Sequence, residues 1–189
     1  MSESIKQTIA IIVEEISTLF SKIEEKEVKK LVKSIENKRK KGIYLIGQGR
    51  SGLMARAFAI RLMHLGFNVF VAGETLTPAV KEGDLVIACS GSGETGITCY
   101  LADKAKKIGA EIVAIVAKKD SKLARIADIV VTIPAPYKFL EVDKRDSIQH
   151  PGSLFEQGLL LLLDAVVVLL RERSGETYFN MNIRHANLE

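Results

Sequence analysis

LVIACSGSGETGITCYLADKAKKIGAEIVAIV, residues 85–116, is the stretch whose reading decides the fold. It opens on a continuous apolar run at 85–89 and closes on a second at 112–116, both rich in β-branched residues. Between them a helical pattern runs from Thr95 to Ile108. Strands that are apolar on both faces, joined through a helix, belong to a parallel sheet covered on both sides.

Working outward, three further apolar runs at 43–46, 69–71 and 129–133 have the same character. Helical patterns at 51–65 and 121–127 alternate with them, and a looser turn around Pro78 joins the second and third strands. The pattern predicts an α/β fold: a doubly wound, five-stranded parallel sheet with helices on both faces.

Ahead of the sheet, Ile5, Ile9, Ile12, Val13, Ile16 and Leu19 recur at helical spacing and predict an amphipathic helix over 4–20. A second helix follows through Val28, Leu31, Val32 and Ile35 into NKRKKG, with Gly42 as its expected stop. Behind the sheet, PAPYKFLEVDKRDSIQHPG at 134–152 is broken by Pro134, Pro136, Pro151 and Gly152 and is expected to be a loop. A connection of that length in a compact domain is usually functional. It delivers the chain to Ser153, the expected cap of an apolar helix over 154–170.

With 189 residues and 47% hydrophobic content, one domain over 1–189 is expected. The net charge of +4 arises from Lys and Arg mixed with Glu and Asp along the helices. A nucleic-acid partner is therefore not expected. Cys89 and Cys99 lack zinc-site spacing and are expected to be reduced, buried thiols. The start SESIKQ has no secretory pattern, and the apolar run 158–170 is interrupted by Asp164. Since roughly 20 apolar residues are needed to cross a bilayer, that run is expected to be a core helix, and the protein to be cytoplasmic with no membrane partner.

In an open parallel sheet, ligands bind beyond the carboxyl ends of the strands. Two Gly-rich loops fall there, GQGRSG at 47–52 and SGSGET at 90–95, the second leading directly into a helix. Gly49, Gly91 and Gly93 let backbone N–H groups approach an anion, the helix N-terminus adds partial positive charge, and Ser90, Ser92 and Thr95 add hydroxyls beside Glu94. Arg50 and Ser51 would position the rest of the ligand. No GxxxxGK[ST] is present, and the density of hydroxyls points to a small phosphate ester, bound without metal or cofactor, in preference to a nucleotide. Each feature also has a plainer reading: SGSGET as a Gly-Ser turn, Arg50 as a surface ion pair, and Glu156 as the partner of Ser153 in a capping box.

These motifs resemble the sugar isomerase, or SIS, family of phosphosugar-binding domains. The resemblance is carried by GQGRSG, CSGSGET and SKLARIADIVVTIP. Within the family the chain is similar to the 6-phospho-3-hexuloisomerases, through RSGLMARAFAIRLMHLGFNVFVAGETLTP, HPGSLFEQ and RHANLE. The resemblance implies a cofactor-free isomerase interconverting D-arabino-hex-3-ulose 6-phosphate and fructose 6-phosphate through an enediol, in the ribulose monophosphate pathway. It also implies a homotetramer whose sites are built from more than one chain. The family's general base maps onto Glu156.

His185 is the candidate for moving protons between the sugar oxygens, in its own site or a neighbour's, because an imidazole titrates near neutrality. His64 is expected to pack or cap, His150 is a weaker candidate for touching substrate, and GETLTP at 73–78 lies at the same sheet edge. Gln157 and Asp164, seven residues apart, are expected to pair in the core or at a subunit contact. The apolar faces of the helices over 1–41 and of the segment 153–189 exceed what one sheet covers, which points to a homo-oligomer. Two other functions compete: an aldose–ketose isomerase such as one acting on arabinose 5-phosphate, and a non-catalytic phosphosugar sensor.

Overall fold

The computed structural model describes residues 4–136 and 147–188. Five strands, β1 (Gly42–Gly47), β2 (Asn68–Val71), β3 (Leu85–Ser90), β4 (Glu111–Val116) and β5 (Ile129–Thr132), form one sheet in the order β2-β1-β3-β4-β5. Every pairing is parallel, with Ile43 opposite Leu85, Leu85 opposite Glu111 and Val113 opposite Ile129. The central strands β1, β3 and β4 are buried almost throughout, and β2 and β5 are half-exposed edges. This is why the central runs are continuously apolar.

Alternate residues of each strand feed different cores. Ile43, Leu45, Leu85, Ile87, Val113 and Ile115 face a core built with α1 (Ile5–Phe20), α2 (Glu25–Glu36), α3 (Gly49–His64) and α6 (Ser153–Ser174). Tyr44, Ile46, Val86, Ala88, Ile112 and Ala114 face the other side, under α4 (Gly96–Ile108) and α5 (Lys122–Ile126). Burying one such aliphatic side chain contributes about 1.5–3 kcal/mol, so these two clusters dominate the stability. The doubly wound plan expected from the sequence is the one observed.

Three local expectations are corrected. Gly42 does not stop the second helix, which ends at Glu36 with Asn37 as its cap; Gly42 is instead the first residue of β1. Ser153 does not cap α6: Gly152 holds that position with φ +92, and Ser153 lies inside the helix with its amide bonded to His150 O at 3.0 Å. A further short helix, α7 (Tyr178–Ile183), follows α6 within the segment expected to be tail. Residues 137–146 of the long connection lie outside the described residues.

By length and composition α6 alone among the described helices is apolar enough to cross a membrane. Here it packs on α1, α2 and α3, with Leu154, Phe155, Leu159, Leu163, Val166 and Leu170 buried. Gly158 permits that contact, because a Cβ there would come 2.6 Å from Leu19 Cδ2 of α1.

Candidate active site

The strand order reverses between β1 and β3, since the chain leaves β1 toward β2 and returns past it to β3. In open parallel sheets, ligands bind at such a switch point, beyond the carboxyl ends of the two strands. GQGRSG and SGSGET border it, and both run into helices. The N-cap residues of α3 and α4, Gln48 and Thr95, make no side-chain cap hydrogen bond. Their first-turn N–H groups are left for an anion, where the helix dipoles favour negative charge.

The loop after β3 is held by its own side chains. Ser90 Oγ accepts the Gly93 N–H at 3.1 Å and lies 3.0 Å from Thr95 Oγ1, and Ser92 Oγ accepts the Glu94 N–H at 3.1 Å. Ser90 is buried, so its hydroxyl shapes the turn, while Gly91, Ser92 and Thr95 keep partial exposure. Glu94 turns away from this function: its carboxylate accepts the Lys122 N–H at 3.0 Å, at the start of α5. Gly93 has φ +64 and sits directly against Ser121, while its carbonyl accepts the Leu123 N–H at 2.9 Å. The small apolar helix of SKLARIADIVVTIP is therefore the buttress of the loop.

The glycines of the first loop are close-packed. A Cβ on Gly47 would lie 2.9 Å from Gly52 Cα, and one on Gly52 would lie 2.8 Å from Gly47 O. Gly47, Gly49 and Gly52 also satisfy the G-x-G-x-x-G spacing of dinucleotide turns, a match that the preference for a phosphate ester does not remove. The acidic residue suitably placed after β2 to hold a ribose, Glu74, is instead ion-paired with Arg56 of α3. Thr77 Oγ1 donates to Val71 O at 2.6 Å, so GETLTP is closed largely by local bonds.

Arg50 and Ser51 fall in the first turn of α3, and there the structure makes a connection that spacing does not reveal. Arg50 Nε is ion-paired with Glu156 Oε2 in the first turn of α6, joining residues 106 positions apart in sequence. Arg50 is mostly exposed, and the Glu156 side chain is only 15% exposed. The capping-box role of Glu156 is thus replaced by a contact with the cradle. Burial pushes its carboxyl above the usual carboxylate range, opposed first by Arg50 and then by His150. A half-desolvated carboxylate at a helix N-terminus beside an anion site is suited to accept a proton from a bound ligand.

The histidines divide. His150 precedes α6 in the segment whose charge reaches Glu156, with Nδ1 3.1 Å from Pro151 O. His185 lies far from that site within the same chain. Its ring stacks on His64 with centroids 5.1 Å apart, at the opposite end of α3 from Arg50. Fourteen residues of helix, roughly 20 Å, separate the two places. His64 is buried, and burial together with His185 and Arg61 pushes it below the usual imidazole range. The pair lines a cavity of about 720 Å³ with Arg61, Asp164 and Arg171. Asp164 is exposed there, and Gln157 is half-buried with Oε1 lacking a hydrogen-bond partner, so the two do not pair in the core.

Cys89 and Cys99 flank the loop as buried, unlinked thiols. Burial pushes the Cys89 thiol up to about 12, and Cys99 Sγ donates to Gly93 O at 3.4 Å. Both are core atoms that support the turn.

The SIS domain model matches residues 37–161. A relative from Bacillus subtilis named 3-hexulose-6-phosphate isomerase is 46% identical over 147 residues, covering 78% of this chain and 80% of its own. A relative of the same name from Mycobacterium gastri is 39% identical over 189 residues, covering 100% of this chain and 94% of its own. The crystal structure of a Methanococcus jannaschii protein, from which a function of 3-hexulose-6-phosphate isomerase was inferred, superposes with a TM-score of 0.81 at 34% identity, covering 97% of this chain and 99% of the other. With the family model matched over residues 37–161, the chain belongs to the SIS domain family.

Proposed function

We propose that this chain is a 3-hexulose-6-phosphate isomerase, interconverting D-arabino-hex-3-ulose 6-phosphate and fructose 6-phosphate without a cofactor. The observation that carries the reading is the buried Glu156 carboxylate, held against Arg50 at the same sheet edge as the hydroxyl-lined loop. The relatives of that name at 39% and 46% identity support the choice of sugar.

The phosphate docks on the N-termini of α3 and α4, with Ser92, Thr95 and the Gly91 backbone around it and Ser51 beside the sugar; Gly93, its N–H bonded to Ser90, shapes the turn. Its charge competes with Glu156 for the exposed Arg50 guanidinium. As Arg50 shifts toward the phosphate, burial of Glu156 is less opposed and the carboxylate becomes a stronger base. Glu156 takes the C2 proton, the electrons form the 2,3-enediol, and the same carboxyl returns the proton to C3, leaving the carbonyl at C2.

Transfer of protons between the two oxygens falls to a second group. His185 of a neighbouring subunit suits that role, because within one chain it stands at the far end of α3. An oligomer is supported by the exposed apolar residues Ile5, Ile9 and Val13 of α1, Leu161, Val168 and Leu169 of α6, and Tyr178 and Phe179 of α7. A tetramer in the cytoplasm is the assembly and setting that go with this reading, with residues 1–189 as one domain.

The test is turnover in deuterated water with a panel of hexulose, pentose and aldose phosphates, for the parent chain and Glu156→Gln. Fructose 6-phosphate formed from the 3-ketose with solvent label, lost in Glu156→Gln while phosphate-ester binding persists, is the expected result. Turnover of an aldose phosphate in its place would move the chain to the competing isomerase. Binding without any turnover would make it a sensor.

A further inference from the structure

The carboxylate of Glu15, in the fourth turn of α1, accepts hydrogen bonds from three consecutive residues of the segment that enters α6. Oε1 accepts the Ile148 N–H at 2.7 Å, and Oε2 accepts Ser147 Oγ and Gln149 Nε2, each at 2.8 Å. Burial raises the Glu15 carboxyl, but these three bonds outweigh it and leave it below the usual carboxylate range. The segment adds its own bond, Ser147 Oγ accepting the Gln149 N–H at 3.0 Å.

From that clamp a short hydrogen-bonded path leads to Glu156. Ser153 N donates to His150 O and Glu156 N to Gly152 O, each at 3.0 Å, and Gly152 is held at φ +92. One turn along α1 from Glu15, Leu19 packs on α6 at Gly158, so α1 approaches the helix that carries Glu156 on the same side. Two contacts from one face of α1 thus hold both the entry to α6 and its first turns.

We propose that Glu15 is a positioning residue for the proton-transferring carboxylate: by anchoring residues 147–149 it fixes His150 and the Gly152 turn, and through them the placement of Glu156. The role rests on the isomerase reading for its catalytic consequence, and on geometry alone for its effect on Glu156. The charged groups facing Glu156 are Arg50 and His150; Glu14 and Lys22 lie near Glu15 on α1. Loss of the clamp frees His150 and leaves the burial of Glu156 less opposed.

Glu15→Gln preserves size but replaces one acceptor oxygen with a donor, and Glu15→Asp tests rescue by charge at shorter reach. Two readouts separate this proposal from the isomerase reading. The first is the Glu156 titration followed by carboxyl carbon NMR, assigned against Glu156→Gln, which needs no turnover; its midpoint should rise in Glu15→Gln and return toward the parent in Glu15→Asp. The second is steady-state kinetics: misplacement of a reacting group costs on the order of tenfold to a hundredfold in kcat, with KM nearly unchanged because the phosphate loop is untouched. An unmoved Glu156 titration in folded Glu15→Gln overturns the proposal, whatever the parent's substrate. A moved titration in a parent that turns over no sugar phosphate upholds the positioning role and removes the isomerase reading.

Discussion

Replacing Gly93 with alanine tests whether the loop after β3 is built as described, and its cost can be worked from the geometry. Gly93 has φ +64, in the left-handed region that an L-residue enters at a cost of roughly 1–2 kcal/mol. The new Cβ would come 2.5 Å from Ser121 Cβ, closer still to its Oγ, and 3.4 Å from Val116 Cγ1. Ser121 cannot swing into solvent, because it is fully buried and caps α5 by accepting the Ala124 N–H at 3.4 Å. Losing that cap costs about 1 kcal/mol. Displacing Gly93 also strains the Leu123 N–H bond to its carbonyl.

Together these effects come to about 2–4 kcal/mol, and at roughly 2–4 °C per kcal/mol for a chain of this size the melting temperature should fall by about 5–15 °C. Thermal unfolding followed by circular dichroism, with reversibility verified, measures it. The decisive comparison is the cycle with Ser121→Gly, which removes both overlapping atoms. In that background Gly93→Ala should cost only its backbone term, giving a coupling of about 1–2 kcal/mol. Strict additivity, or a single-variant melting shift below about 2 °C, would refute the packing of Gly93 on Ser121.

The charge contest at Glu156 and the proposed sharing of a site between chains yield two further expectations. In Arg50→Ala, burial of Glu156 loses its largest opposing influence in the ligand-free protein, so the carboxylate is protonated at higher pH and the acid limb of kcat/KM moves upward from the parent's. A carboxyl raised by folding binds more protons folded than unfolded, so the variant should also lose stability relative to the parent as pH rises through that interval; an acid limb that stays put or moves down contradicts this. If His185 serves a neighbour, Glu156→Gln and His185→Ala, each inactive alone, should regain about a quarter of the sites when dissociated and reassembled together, because each site then draws two chains independently. Stable mixed oligomers with no recovery would return His185 to a structural role.

The fold was legible because its signals are local. Each central strand announces itself through four to six consecutive apolar residues, and the alternation of Leu45 and Ile46, or Ile87 and Ala88, between two cores follows from the two-residue period of a strand. What failed was punctuation. Gly42 looks like a helix stop, yet NKRKKG unwinds earlier, at Asn37. Ser153 looks like a cap, but Gly152 takes the position by entering the left-handed region closed to Ser. Both errors come from asking composition to locate a boundary that backbone geometry sets.

The site was legible in its parts and illegible in its wiring. The glycines and hydroxyls of SGSGET point to an anion by their own chemistry, whereas the use of Ser90 inside the turn and of Glu94 on α5 depends on neighbours brought in by the fold. The ion pair from Arg50 to Glu156 and the clamp from Glu15 to residues 147–149 each span more than a hundred positions, so no period or motif could carry them. Both depend on α1, α3 and α6 sharing one face of the sheet, with the first turns of α3 and α6 at one end. That shared placement also sets the charge balance on the proposed base: the helix N-terminus and Arg50 favour the charged form of Glu156, and burial outweighs them, holding the carboxyl above the usual carboxylate range. In the proposed mechanism, a ligand anion that draws Arg50 away removes the largest force opposing burial and so raises the basicity of Glu156 further.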